Sequence, residues 1–332
     1  MNDAFAPETR RRLTHLLDDF QRAASPGPFD YGWAHQHDGQ RHDRHVVFGC
    51  MVHGNEFGSL PAALRIMTAL RSGEITYGGT VTVFIGNPEA ALENRRYLEA
   101  DLNRVFLATK GTTHEERRAR QLMPILDAAD VFLDFHQTIL ETAHPFYIFA
   151  WNTDAWQWAR ATQATPIWVT RNPTAQFSSG TKCTDEYVCD RGRPGMTLEL
   201  SQKGFSDDAE SLCWNAMVKT LRVADAVGMG TAIETLAPSE PDFRFMTTEY
   251  AEPFDNPAKR LRPGLVNFQT VRAGQSLNAP GSPTMVAPRD GALLFPKYPE
   301  REAGVAVAPW PNEVYRLVVP MTAHPVQCWP ER

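Results

Sequence analysis

The apolar positions fall into two textures. Up to about Val227, runs with helical spacing alternate with short continuous apolar runs; beyond that, only short runs remain, separated by Pro and Gly. Leu13, Leu16, Leu17 and Phe20 predict a helix over Pro7–Ala24, and Leu64, Met67 and Leu70 predict another over Leu60–Leu70 that stops at Gly73. His114–Ala129, with its charged HEERRAR opening, and Ser206–Val227, capped by Ser206-Asp207, are two more. Val46–Val52, Thr80–Ile85, Val131–Phe135, Phe146–Trp151, Ile167–Thr170 and Met196–Leu200 read as strands, with a turn at Asn87-Pro88. Strands alternating with helices predict an α/β fold, a sheet with helices on both faces.

After residues 228–242 the runs FRFMTTEY, LVNFQTV, TMVAP, ALLFP, VAVAP and VYRLVVP predict a smaller all-β unit. The chain is therefore divided into an α/β domain, 1–230, and a C-terminal β domain, 240–332. A length of 332 residues suits one large and one small domain.

Composition removes several function classes. Lys and Arg number 33 against 39 Asp and Glu, a net charge of −6 spread along the chain, which gives no footprint for nucleic acid. No apolar run approaches a membrane span. The opening MNDAFAPETRRRLTHLLDDF lacks an apolar secretory core, and the five cysteines have no framework spacing, so a reduced, cytoplasmic setting is expected. His35, His37, His42 and His45 read as exposed loop or strand histidines in preference to a metal tract.

The candidate chemistry sits at strand ends. In VVFGCMVHGNEFGSL an apolar run breaks into His53-Gly-Asn-Glu56, the right types and spacing for two ligands of one zinc ion. Alone, such a pair is more often an exposed pair or a local hydrogen bond. His136 ends the Val131 strand, however, and Glu199 lies near the end of MTLEL. In an open α/β sheet, ligands bind beyond the carboxyl ends of the strands. His53, Glu56 and His136 would then give three protein ligands and an open position, the pattern of a catalytic zinc, one per chain. Such a metal lowers the pKa of its water and polarises a carbonyl. Glu199 would take the water's proton and return it to a leaving nitrogen, or else be a strand-end carboxylate paired with an arginine.

Four motifs, HGNE, DLNRVF (Asp101–Phe106), DFH (Asp134–His136) and TLEL (Thr197–Leu200), occur in an order that resembles the succinylglutamate desuccinylase/aspartoacylase family. These are zinc amidohydrolases related in fold to zinc carboxypeptidases. The resemblance covers about residues 45–205, and the β-rich tail resembles that family's C-terminal domain. It implies a zinc-carboxypeptidase-like mixed sheet, with His53, Glu56 and His136 as zinc ligands and Glu199 as the catalytic glutamate. It also implies Arg96 as a residue that polarises the scissile carbonyl, and Asn103 and Arg104 as the pair holding a substrate carboxylate through a guanidinium fork. Read without the resemblance, Asp101 caps a turn and Arg104 makes a structural salt bridge. Arg191 and Tyr298 depart from the family pattern. They are approximate counterparts of a further carboxylate-binding arginine and of a tyrosine that closes the site from the C-terminal domain.

The activity so implied is hydrolysis of an N-acyl amino acid. N-succinylglutamate comes first, on the TLEL strand and the His-Pro after DFHQT; N-acetylaspartate or another small N-acyl amino acid stays open, as does a homo-oligomer. The competing functions are a carboxypeptidase-like peptidase and a non-catalytic zinc-site binding protein, against which Glu199 argues. Asp134 either orients His136 or points to the opposite face of the sheet. His144 is read equally as a neighbour of the site or a core or surface histidine. Cys183 and Cys189 read as free thiols, and Trp151, Trp156 and Trp158 as core.

Overall fold

The computed structural model describes residues 5–107, 110–238, 243–307 and 310–330. Helix α1 (Pro7–Ala23) opens on a proline, whose fixed φ and missing N–H suit a first helical position. It buries Leu13, Leu17 and Phe20 and leaves its charged face in water. Helix α2 (Leu60–Ser72) ends where predicted: Gly73 adopts φ +76° and its N–H bonds to the Leu70 carbonyl. Helix α4 (His114–Ala128) starts with a reciprocal capping box between Thr113 and Glu116, and Ser206 caps α7 (Asp207–Gly228) by accepting from the Ala209 N–H. The shorter helices are α3 (Pro88–Leu92), α5 (Thr153–Thr162), α6 (Thr184–Cys189) and α8 (Pro325–Cys328).

The strands are β1 (Ala34–Asp38), β2 (His45–Cys50), β3 (Thr80–Ile85), β4 (Val131–Thr138), β5 (Phe146–Ile148), β6 (Ile167–Thr170) and β7 (Gly195–Gln202). The C-terminal strands are β8 (Arg244–Pro253), β9 (Thr270–Val271), β10 (Gly291–Leu294), β11 (Arg301–Glu302), β12 (Val305–Ala306) and β13 (Glu313–Pro320). Eleven of them form one mixed sheet in the order β1-β3-β2-β4-β7-β5-β6-β8-β13-β10-β9, and β11 and β12 pair separately. The central strands β3, β2, β4 and β7 are mutually parallel, so their carboxyl ends share one edge.

Side-chain alternation sorts the core. Phe48, Leu133, Phe135 and Leu198 face α1, α2, α5 and α7, whereas Val47, Phe84 and Phe132 face α4 and α6. The C-terminal strands carry an apolar cluster of their own, with Phe254, Leu265, Leu293, Tyr315 and Leu317. They also continue the large sheet, because β8 pairs in parallel with β6, Ile167 opposite Arg244. Among the described residues no helix is long and apolar enough to cross a membrane.

Several expectations need adjusting. Asn87-Pro88 opens α3 instead of a simple turn. The Phe146 strand stops at Ile148, and Trp151 turns away to bond the Arg171 carbonyl. TMVAP contributes only an isolated bridge, Ser276 to Val286, and LVNFQTV only two strand residues. The end of VAVAP lies outside the described residues. Among the four histidines, His35 and His37 belong to β1, an edge strand in which His35 is buried.

Candidate active site

The carboxyl edge of the parallel strands assembles the site. After β2 the chain turns at Met51, a non-glycine residue at φ +54°, and the Gly86 and Asn87 N–H groups close on the Cys50 and Met51 carbonyls. The Gly54 backbone passes so close to α3 that a Cβ there would lie 2.4 Å from the Ala91 nitrogen. This close approach explains the glycine in His-Gly-Asn-Glu and sets His53 and Glu56 on one side of the loop. On β4 and β7, His136 sits directly opposite Glu199 in the parallel register. Asp134, two residues before His136, shares its face, as the strand period requires. The opposite-face reading of Asp134 is therefore wrong: its Oδ2 lies 3.0 Å from His136 Nε2 and 2.5 Å from the Thr184 hydroxyl that donates to it.

His53, Glu56 and His136 are buried, and their candidate ligand atoms all lie within 4.8 Å of one another. Both imidazoles present Nδ1 to the cluster. The two Nδ1 atoms are 3.0 Å apart, His53 Nδ1 is 2.9 Å from Glu56 Oε1, and His136 Nδ1 is 2.9 Å from Glu56 Oε2. The Nε2 atoms point outward to carboxylates, His53 to Asp101 Oδ1 at 3.0 Å and His136 to Asp134. A ring whose Nε2–H donates to a carboxylate keeps its Nδ1 lone pair free. Two such lone pairs beside a carboxylate form a donor set suited to a cation, so these residues fit a metal ion.

The electrostatics follow the same pattern. Burial alone would raise the Glu56 carboxyl, but His53 and His136 hold it well below its usual range. Burial would lower His136, yet Asp134 and Glu56 keep it well above. Burial and the nearby Glu56 charge push Glu199 up to about 8, and its Oε2 has no hydrogen-bond partner among the described residues. Arg96 bridges the first ring of partners, donating from Nη1 to Glu56 at 3.0 Å and from Nε to Asp101 at 3.1 Å.

His53, Glu56, Arg96, Asp101, His136 and Glu199 line one cavity of about 520 Å³, shared with Asn103, Arg104 and Tyr298. Asn103 accepts from the Thr184 N–H at 2.9 Å, and its amide approaches His136 Nε2 at 3.4 Å. Arg104 donates to the Asn103 carbonyl and to Cys183 Sγ, and has no carboxylate within ion-pair distance among the described residues, so the structural salt bridge is not formed. Asp101 does cap its turn, accepting from the Asn103 N–H. Arg191 is not brought to the cavity; it pairs with Asp127 and stacks on Tyr187. Tyr298 lines the cavity, but its hydroxyl is engaged by backbone, donating to the Arg262 carbonyl and accepting from the Leu265 N–H. His144 is exposed, all five cysteines are free, and Trp151, Trp156 and Trp158 are in the core.

Three cavity residues escaped the sequence reading: Arg171, Lys297 and Arg316. A fourth, Asp185, is a buried carboxyl raised to about 7 by burial and by Glu186. None falls in a motif with a mechanical meaning, and only the fold brings them together.

Comparison with known proteins bears on this cluster. The model of the succinylglutamate desuccinylase/aspartoacylase catalytic domain matches residues 42–228. A succinylglutamate desuccinylase from Shewanella piezotolerans is 33% identical over 92 residues, covering 26% of this chain and 27% of that protein. A probable aspartoacylase from Acaryochloris marina is 33% identical over 124 residues, covering 32% and 41%. The matched stretches thus span about a quarter to two-fifths of these relatives' length. The solved succinylglutamate desuccinylase from Chromobacterium violaceum superposes with a TM-score of 0.65 at 16% identity, covering 93% of this chain and 98% of that one, which shows a shared fold. With that catalytic-domain model matching more than half of its residues, the chain belongs to the succinylglutamate desuccinylase/aspartoacylase family.

Proposed function

We propose that this chain is a zinc-dependent hydrolase that cleaves the acyl amide of an N-acyl amino acid, releasing a carboxylic acid and a free amino acid. N-succinylglutamate is the first candidate and N-acetylaspartate-like compounds the next, in line with the names of the relatives. The observation that carries this reading is the meeting of the His53, Glu56 and His136 donor atoms with the partnerless Glu199 oxygen in a cavity that also holds Arg104.

His53 Nδ1, His136 Nδ1 and Glu56 would hold the zinc ion, with Asp101 and Asp134 fixing the tautomers of the two rings. A bound zinc ion supplies Lewis acidity to the water and to the acyl carbonyl. Glu199 removes the water's proton as the oxygen adds to the acyl carbon, then returns it to the departing nitrogen. A buried carboxyl whose proton affinity lies near neutrality suits both transfers. Arg96, fixed by Glu56 and Asp101, turns positive charge toward the oxygen on which negative charge develops. Arg104, with no carboxylate of its own among the described residues, anchors the substrate's carboxylate, and Asn103 frames it. In this reading residues 1–230 supply the chemistry, and residues 240–332 complete the cavity wall.

The test is a hydrolysis panel of N-acyl amino acids on zinc-loaded wild type and Glu199→Gln. The variant is expected to keep about one zinc per chain and to lose on the order of a hundredfold or more in turnover. Near-wild-type turnover in the variant would sink the mechanism. Wild type that cleaves short peptides but no N-acyl amino acid would sink the substrate class.

A further inference from the structure

The C-terminal unit sends two cations into the cavity. Lys297 follows β10, Arg316 lies on β13, and both pair with the same oxygen of Glu313: Lys297 Nζ at 3.2 Å and Arg316 Nε at 2.8 Å. Neither has another carboxylate within ion-pair distance among the described residues. Two cations on one carboxylate leave one positive charge uncompensated. The Glu313 and Arg316 side chains are only 12% and 13% exposed, so water does little to screen it.

This group lies beside the first anchor. The Arg316 guanidinium sits 4.1 Å from the centroid of the Phe177 ring, and the Arg104 guanidinium 4.7 Å from the same centroid. Arg171 also packs on Phe177, but Glu186 neutralises it. Two net positive charges therefore flank one aromatic ring, one on Arg104 and one shared by Lys297 and Arg316. Arg316 spends Nε on Glu313 and Nη2 on the Phe177 carbonyl, and Arg104 spends Nη1 on the Asn103 carbonyl and Cys183, so Arg316 Nη1, the remaining Lys297 N–H groups and Arg104 Nη2 are the donors left to a carboxylate among the described residues. Burial lowers the Lys297 pKa against the pull of Glu313, and the Arg316 and Arg96 charges act in the same direction as burial. The Tyr298 hydroxyl is already bonded to backbone at both its donor and acceptor sides, so the C-terminal unit's polar contribution passes through Lys297 and Arg316.

We propose that Lys297 and Arg316, held together on Glu313, form a second anion subsite. It recognises a carboxylate remote from the scissile amide, beyond the one that Arg104 anchors. The inference rests on the reading of the cavity as an amide-hydrolase site and assigns its specificity for substrates with more than one carboxylate to the C-terminal strands.

Three substrates test it: N-succinylglutamate, N-succinylglutamine, which lacks the side-chain carboxylate, and N-butanoylglutamate, which lacks the acyl carboxylate. Wild type is expected to prefer N-succinylglutamate over at least one analogue by tenfold or more in kcat/KM. In Lys297→Met and Arg316→Gln that ratio falls toward one, and Lys297→Arg keeps most of it. The analogue whose ratio collapses tells which end of the substrate enters the subsite. Each ratio is taken on a single preparation, so a partly unfolded variant does not distort it. No wild-type preference over either analogue, or ratios unchanged in both variants, would overturn the subsite while leaving the hydrolase reading standing. Failure to hydrolyse any of the three while N-acetylaspartate is cleaved would overturn the subsite alone; failure on every N-acyl amino acid would overturn both.

Discussion

Glu115 is fully buried in the first turn of α4, yet it belongs to the architecture of the site. One carboxylate oxygen accepts from the Leu98 N–H at 2.6 Å and the Asn87 amide at 3.0 Å; the other accepts from the Glu99 and Ala100 N–H groups, both at 3.0 Å. Those donors fix the segment that carries Arg96 and Asp101. Glu115→Gln keeps the shape but replaces one acceptor oxygen with a donor, so two of the four N–H groups lose their partner. A buried N–H without an acceptor costs about 1–3 kcal/mol, so the variant should lose roughly 2–6 kcal/mol of stability. Urea denaturation followed by tryptophan fluorescence reads this directly. The sign with pH is also set: burial would raise the Glu115 carboxyl, but the backbone and Asn87 donors hold it below its usual range. A depressed folded pKa contributes stability above the unfolded value near about 4.3, lost as pH falls through the folded value. The gap between wild type and variant should therefore be full at neutral pH and shrink in acid. A gap under about 0.5 kcal/mol, within ordinary surface-mutation scatter, would refute the reasoning. So would a gap that ignores pH.

Gly54→Ala places a Cβ 2.4 Å from the Ala91 nitrogen and 2.6 Å from the Ala90 carbonyl carbon, both backbone, so the His53–Glu56 loop must shift. Zinc stoichiometry should fall well below that of wild type, and full loading with an unchanged melting temperature would contradict this. Asp134→Asn breaks the orientation of His136 and should weaken metal affinity about 10–100-fold in a chelator competition; unchanged affinity would remove its role. Asp225 ties α7 to the Gly78 N–H at 2.8 Å and to Arg41 and His42, so Asp225→Asn should cost about 1–2 kcal/mol at neutral pH. Burial opposes but the Gly78 N–H and His42 hold the Asp225 carboxyl below its usual range, so that cost should fade as pH drops below about 4.

The sequence was most legible where one period dominates. Continuous apolar runs located the parallel strands because both faces are covered, and strand ends then located His53, His136 and Glu199. Helix α2 was bounded to within two residues because Gly73 can cap it at positive φ. The misses have local causes. In β1, Ala-His-Gln-His-Asp has the alternation of an edge strand but not its usual residue types. Helices α3 and α6, of five and six residues, are too short to show a 3.6 period, and Pro88 reads equally as a turn or a first helical residue.

The contribution of the C-terminal strands to the cavity was the least legible part, and β13 shows why. In a regular strand Glu313 and Arg316, three apart, would lie on opposite faces. A register shift between Glu313 and Tyr315 against β8 adds one residue, and the two side chains meet at 2.8 Å. The strand that β13 pairs with, β8, is itself placed by its parallel pairing with β6, where Ile167 lies opposite Arg244. Motif reading could find the residues that share a strand end with His53. It had no access to a cation that reaches the same cavity through an irregular pairing at the far side of the sheet.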